Sequence, residues 1–283
     1  LFLAIFCISL FSCSDNNTAE PIGYQLITLS VTIPPGEVAD MNTPGSRAGD
    51  PVPGVGDEDK ITRLKFFVFS NATTLEAYRE VEIKPNGTSD EPMWDATNQA
   101  LRINVTHGAK EIYCLANWTD NGVDMPIIGV TDNTVALLTG KVRIHTSNLS
   151  GDSPVMTGYL QETISSGQTS VDIKLQRQFA RVEFKFKVDQ TIVDMGDNVQ
   201  VTGVKFMKLA SSSYVFPQTP ISQPAGLVRW NEATFATDNP TVNLSTTEVD
   251  YGKLYYIPEY APADESTATV MVMRAGYNGV ATT

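Results

Sequence analysis

The chain has 283 residues, 42% of them hydrophobic, which is enough for one large or two ordinary domains with buried cores. Lys plus Arg number 20 against 32 Asp plus Glu, and the resulting net charge of −12 repels nucleic acid and anionic lipid surfaces. Nucleic-acid binding is therefore set aside. Cysteines stand at 7, 13 and 114, so the body holds a single thiol and no internal disulfide framework.

The chain opens on "LFLAIFCISLFSC", residues 1–13, an apolar run that meets polar "SDNNTAE". A membrane-spanning helix needs roughly twenty apolar residues, so this run has the length of a signal-peptide core. "LFSC", Leu10 to Cys13, resembles a bacterial lipobox, with small Ser12 before an acylated Cys13 and a Phe11 bulkier than that place usually holds. Cys7 competes for the role but follows Phe6, where a small side chain is wanted. The alternative is an ordinary secretory signal in which Cys13 is incidental. The reading is a signal peptide at 1–12, incomplete because no methionine or basic segment precedes it, and a lipidated leader at 13–47.

From residue 24 onward alternation dominates. In "LITLSVTI", 26–33, Ile27, Leu29, Val31 and Ile33 share one strand face and Thr28, Ser30 and Thr32 the other. The following stretch, "TPGSRAGDPVPGVGDEDK" at 43–60, is rich in glycine, proline and acid, and Arg47 is the only base before Lys60. Small Ala48 and Gly49 follow it. Arg47 is either a solvated linker charge, the commoner case for a lone arginine in a loop, or a place where the chain is cut.

Strand patterns continue at 64–70, 101–105 and 111–118, where Cys114 shares a face with Ile112 and Ala116 and reads as a small core hydrophobe. Short helical candidates lie at 74–78 and 133–142. "SVDIKL" puts Val171, Ile173 and Leu175 on one face, and "RVEFKFKV" does so with Val182, Phe184, Phe186 and Val188. These are half-buried antiparallel strands with one wet face. In 199–209 the apolar phase shifts around Gly203, which predicts a bulge. Further strands are predicted at 253–260 and 268–277, the last running into Asn278-Gly279, a hairpin signal whose return strand needs more than the four residues left. Strands this numerous predict an all-β chain of two β-sandwich domains, at 48–177 and 178–283, the second truncated, in a fragment open at both ends.

No catalytic or metal-binding constellation emerges, and no cofactor is expected. His107 and His145 lie at no ligand spacing from each other or from Cys114, and there is no G-x-S-x-G or phosphate loop. "DNGVD" at 120–124 and "GDEDK" at 56–60 read as solvated acidic turns before weak calcium sites. The Asn-x-Ser/Thr triplets at Asn71, Asn86, Asn104, Asn117, Asn148 and Asn243 are assigned no function. Trp94, Trp118 and Trp230 are candidates for a sugar-stacking platform, although sandwich-core tryptophans are commoner.

Several segments together resemble the fimbrillin family, lipoprotein precursors of surface fimbriae in anaerobic Gram-negative bacteria. They are the lipobox at Cys13, "ITRLKFFVFS", "GAKEIYCLANW" ending in Ala116-Asn117, "PVMTGYLQ" with Met156 and Gly158, "VDIKLQRQFARVEFKF" with Leu175, Arg177, Ala180 and Val182, and "LYYIPEY" with Pro258 and Glu259. The resemblance implies two transthyretin-like sandwiches and a structural, non-enzymatic role as a fimbrial (pilus) subunit. It implies cutting by an arginine-specific protease at Arg47, leaving Ala48 as the new N-terminus, and displacement of the strand bearing Ile27, Leu29, Val31 and Ile33 by a strand of another subunit. Other fimbrial subunits, the protease and, through lipid on Cys13, the outer membrane are the implied partners, with host or bacterial surface ligands beyond them. An uncleaved anchor or tip (adhesin) subunit, or a glycan-binding surface lipoprotein, is the alternative.

Overall fold

The computed structural model describes residues 23–34, 59–118, 126–145, 154–216, 224, 229–230, 232, 234, 236, 239–258, 268–278 and 280–282. The signal peptide, Cys7, Cys13, Arg47 and Ala48 lie outside these residues, as do "DNGVD" and the side chain of Trp230.

The first half contains β1 (Tyr24–Thr32), β2 (Arg63–Asn71), β3 (Thr74–Glu82), β4 (Trp94–Asp95), β5 (Ala100–Thr106), β6 (Gly108–Ala116), the short helix α1 (Val135–Thr139), β7 (Val142–Ile144), β8 (Met156–Ile164), β9 (Ser170–Lys174) and β10 (Gln176–Arg177). One sheet runs in the order β4-β5-β1-β9 and a second in the order β10-β8-β6-β2-β3. Alternation turns one face of each inward. Ile27, Leu29, Leu101, Ile103, Val171 and Ile173 from the first sheet meet Leu64, Phe66, Val68, Ile112, Cys114 and Met156 from the second. The sheets approach closely at Gly158 of β8, where an added Cβ would lie 2.6 Å from Ile173 Cγ2 and 2.9 Å from the Lys174 carbonyl oxygen. Any side chain there would push the sandwich open.

The expectation of one wet face fails for the second sheet. Phe67, Phe69, Tyr113 and Leu115 point to its other side and form a further core with Trp118, Ile128, Leu138, Val155, Val215 and Phe216. Segments from 126–145 and 215–216 cover that face, so β2 is buried on both sides. The helical candidate at 74–78 is also corrected, because these residues belong to β3 and pair with β2, Tyr78 opposite Phe67 and Ala77 opposite Val68. A single helical turn gains little against its nucleation cost, whereas at 74–78 pairing with the buried strand β2 is rewarded at each residue. The candidate at 133–142 does hold a helix, α1, whose N-cap Thr134 accepts from the Leu137 amide.

The second half carries β11 (Phe179–Val182), β12 (Lys185–Phe186), α2 (Gln190–Asp194), β13 (Val199–Met207), β14 (Leu209–Ala210), β15 (Ser212–Tyr214), β16 (Arg229–Trp230), β17 (Val242–Asn243), β18 (Val249–Asp250), β19 (Tyr255–Pro258), β20 (Val270–Tyr277) and β21 (Val280–Thr282). "RVEFKFKV" is not one strand: β11 pairs with β19 and β12 with β18. Val182, Phe184 and Phe186 nevertheless pack on one core, around Val201, Val204, Phe206, Leu209 and Tyr251. The register of β13 against β20 shifts between Val201 and Gly203, the expected bulge. Asn278, at φ +47°, turns the chain into β21, which pairs with β20 from Tyr277↔Val280 to Ala275↔Thr282. A return strand thus forms within the residues that the sequence pattern had judged too few.

The halves interlock. Strand β15 pairs antiparallel with β7, Ser213 opposite Arg143, and the His145 amide donates to the Ser211 carbonyl oxygen at 2.7 Å. Val215 and Phe216 then enter the core on the outer side of the second sheet. Gln178 Nε2 donates to the Val215 carbonyl oxygen across the same seam.

Candidate functional site

Strand β1 is the N-terminal described element, yet it sits inside its sheet. It pairs antiparallel with β5 from Tyr24↔Thr106 to Ser30↔Ala100 and parallel with β9 from Thr28↔Ser170 to Thr32↔Lys174. Further backbone bonds lie on the β9 side, Thr28 N to Thr169 O at 2.9 Å and Leu175 N to Thr32 O at 2.7 Å, and on the β5 side, His107 N to Gly23 O at 3.2 Å. The order β4-β5-β1-β9 leaves β9 with β1 as its ladder neighbour. Withdrawing β1 would therefore bare two rows of amides and carbonyls and leave β9 without a strand beside it.

Its four inward side chains are unequal. Ile27 and Leu29 are fully buried, while Val31 and Ile33 are partly buried and pack against the same core. Burial of these side chains contributes on the order of 5–10 kcal/mol gross, comparable with the stability of a whole domain. Outward, Tyr24 and Leu26 are exposed at the start of the strand, and Ser30 and Thr32 bond to Asp172 on β9.

The walls of this slot are braced without β1. At one end Lys110, buried on β6, pairs with Glu76 of β3 at 2.9 Å and donates to Thr106 Oγ1 at 2.8 Å, while the Thr106 amide donates to Glu76 Oε1. At the other end Asn117 adopts φ +58° and its amide group reads three backbone positions: Oδ1 accepts from Thr62 N at 2.8 Å, and Nδ2 donates to Lys60 O at 2.8 Å and Pro154 O at 2.9 Å. Asn117 therefore anchors the chain where it enters β2. Its Nδ2 is committed to the fold.

The two ends of the tether come together. Leu175 holds the carbonyl of Thr32, where β1 ends, and two residues on Arg177 pairs with Asp59, where the chain re-enters the described structure. Residues 35–58, with Arg47 among them, join these neighbouring anchors.

The remaining sequence candidates are structural. Cys114 is completely buried in the first core, and burial pushes its thiol pKa well above the usual range. Trp118 is buried with Nε1 donating to Pro126 O at 3.2 Å and offers no stacking face, and Trp94 is half-buried, packed against the first core, with Nε1 donating to Gly87 O at 3.0 Å. His107 lies at the bend between β5 and β6. His145 is buried beside the seam with Nε2 2.9 Å from Ser213 Oγ, and burial, with Arg143 nearby, lowers its pKa to about 4. Among the described residues, no group of three or more His, Cys, Asp or Glu side chains could hold a metal ion.

Strand order, the two facing sheets and an N-terminal strand seated centrally in one of them define an all-β sandwich class. Within it, the chain belongs to the major fimbrial subunit protein (FimA) family, whose model matches residues 27–177, from β1 to β10. The expected fimbrillin resemblance is thereby met, and membership makes this a fimbrial protein of the cell surface that works among other fimbrial subunits. No curated protein matches it in sequence. Among solved structures it is similar in fold to a protein of Parabacteroides distasonis assigned to cell adhesion, with 16% identity, TM-score 0.59, and coverage of 90% of this chain and 75% of that one. It is also similar to the tip fimbrial protein Mfa3 of Porphyromonas gingivalis, with 13% identity, TM-score 0.52, and coverage of 91% and 78%. A Bacteroides eggerthii protein assigned to cell adhesion matches at 13% identity and TM-score 0.51, over 91% of this chain and 77% of that one.

Proposed function

We propose that the chain is a structural, non-enzymatic subunit of a fimbria, made as a lipoprotein precursor acylated on Cys13 and assembled by donor-strand exchange once its leader is cut at Arg47. In this reading the body consists of sandwich domains at 48–177 and 178–283. The observation that carries it is the position of β1: a fully integrated central strand joined to the body through a segment whose one base before Lys60 is Arg47.

While the tether is intact, β1 is held at high effective concentration and an outside strand competes poorly. Cutting makes retention an ordinary bimolecular equilibrium, and a strand of another subunit can enter by β-augmentation. Each subunit then fills the slot of the next, a heterologous contact that need not close and so propagates into a filament. The braces at Asn117 and Lys110–Glu76 support this reading, because they hold the slot walls through groups outside β1.

The test is an Arg47→Ala precursor beside an arginine-specific protease. It stays full length and monomeric while the parent chain is shortened to Ala48 and polymerises. Polymerisation of the variant at the parent rate would refute the mechanism. The fold shared with a tip fimbrial protein favours an uncleaved tip or anchor role as the second reading, and the mature N-terminus separates them: acylated Cys13 retained in the fimbria means no cut.

A further inference from the structure

The inward face of β1 does not by itself define where a strand must stop in the slot. Ile27, Leu29, Val31 and Ile33 recur every second residue, so a slip of one position turns the apolar row outward and is rejected. A slip of two restores apolar residues inward. Side chains on the outward side add discrimination that the inward face lacks, and the outward rows of the flanking strands differ in charge. Strand β5 presents Arg102 opposite Thr28 and Asn104 opposite Leu26, and Arg102 lies 3.7 Å from Asp95. Strand β9 presents Ser170 opposite Thr28, Asp172 opposite Ser30 and Lys174 opposite Thr32.

Asp172 is engaged through both carboxylate oxygens. Ser30 Oγ donates to Oδ1 at 3.0 Å and Thr32 Oγ1 donates to Oδ2 at 3.0 Å. A single carboxylate thus reads two hydroxyls two residues apart on the outward face of its neighbour. Charge-assisted bonds of this kind are stronger than neutral ones.

We propose that Asp172 is the specificity-determining residue of the slot. Resting on the exchange reading above, it selects an incoming strand of a second subunit that places Ser or Thr at the two outward positions facing it, between branched apolar residues, and rejects a strand with an acid directly opposite it, at the place of Ser30. An apolar residue at those positions leaves an exposed carboxylate to water at small cost. A carboxylate opposite a carboxylate is directly repulsive. The discrimination is positional, because an acid at the place of Thr28 meets Arg102, and one at the place of Thr32 meets Lys174, instead.

The experiment uses the full chain with a recognition site for a sequence-specific protease inserted within 35–58, cut, and then offered a fluorescent synthetic peptide of residues 24–33. Uptake is read by gel filtration with fluorescence detection. A peptide carrying Ser30→Glu enters about tenfold less than the parent peptide, while Thr28→Glu and Thr32→Glu stay within about threefold. In a chain carrying Asp172→Lys, an exposed outward position checked for folding by thermal melting, the Ser30→Glu peptide recovers and surpasses the parent. Equal loss in both backgrounds, or equal uptake of all peptides, would overturn the role of Asp172 while leaving exchange intact. No uptake of the parent peptide by the cut chain would overturn the exchange reading and this inference together.

Discussion

Leu29→Ala is the sharpest probe of the slot. Leu29 is fully buried at the middle of β1, opposite Leu101 on β5 and Val171 on β9, both buried. Truncation removes three carbons from a place whose neighbours are held by two ladders, so the hole cannot close by moving one side chain. Cavities of this kind cost about 2–5 kcal/mol. Thr28→Ala, one residue away on the outward face, should cost no more than about 0.5 kcal/mol. In the intact chain the difference is measured by urea unfolding followed through tryptophan fluorescence, with Trp94 and Trp118 packed on two of the cores. After the tether is cut, the same loss shortens retention of β1 by roughly 30-fold to several thousandfold. A Leu29→Ala chain as stable as Thr28→Ala, or one whose cut form holds β1 as long as the parent, would show that β1 is not bound in the way described.

Gly158→Ala should destabilise by about 1–3 kcal/mol, because its Cβ would press on Ile173 and the Lys174 backbone; an unchanged melting temperature would contradict the close approach of the sheets. Asn117→Gly tolerates the positive φ but loses the bonds to Lys60, Thr62 and Pro154, so it should destabilise, though less than Asn117→Ala, which adds strain at that φ, and hydrogen exchange would report both as earlier opening at the start of β2. The Cys114 peptide should remain unalkylated at pH 8 in the native chain and react only on unfolding, since burial keeps its thiol protonated. His145 is held neutral when folded, with its pKa lowered from 6.5 to about 4 by burial and then by Arg143. The unfolded chain therefore binds the extra proton first, and stability falls as pH drops from about 6.5 to about 4 by on the order of 2–3 kcal/mol. A His145→Gln chain should lose most of that slope, and an identical pH dependence would refute the assignment.

Local chemistry made much of this molecule legible. Strict alternation announces β1, β5 and β9, the phase shift at Gly203 announces the bulge in β13, and the sharing of one face by Ile112, Cys114 and Ala116 places the thiol of β6 in a core. These features depend on neighbours within a few residues, and side-chain period alone is enough to read them. The tryptophans were ambiguous because an indole suits a core and a surface platform equally well until its neighbours are known. The helical reading of 74–78 failed because the competing partner, β2, is a long-range neighbour in energy even though it is close in sequence: its full burial comes from segments at 126–145 and 215–216.

What the chain could decide on its own was that 26–33 is a strand with an apolar face and that a lone arginine follows it. Only the tertiary structure decided that this strand lies between β5 and β9, that β9 runs parallel to it, and that both ends of the tether return to residues 175–177. Parallel pairing across some 140 residues leaves no local trace, because neither strand's pattern names its neighbour. The same holds for Asp172, which in sequence is one acid in "SVDIKL" and in the fold faces Ser30 and Thr32. Hydrophobic periodicity specifies a face; pairing and register come from which buried faces can close over one another in three dimensions.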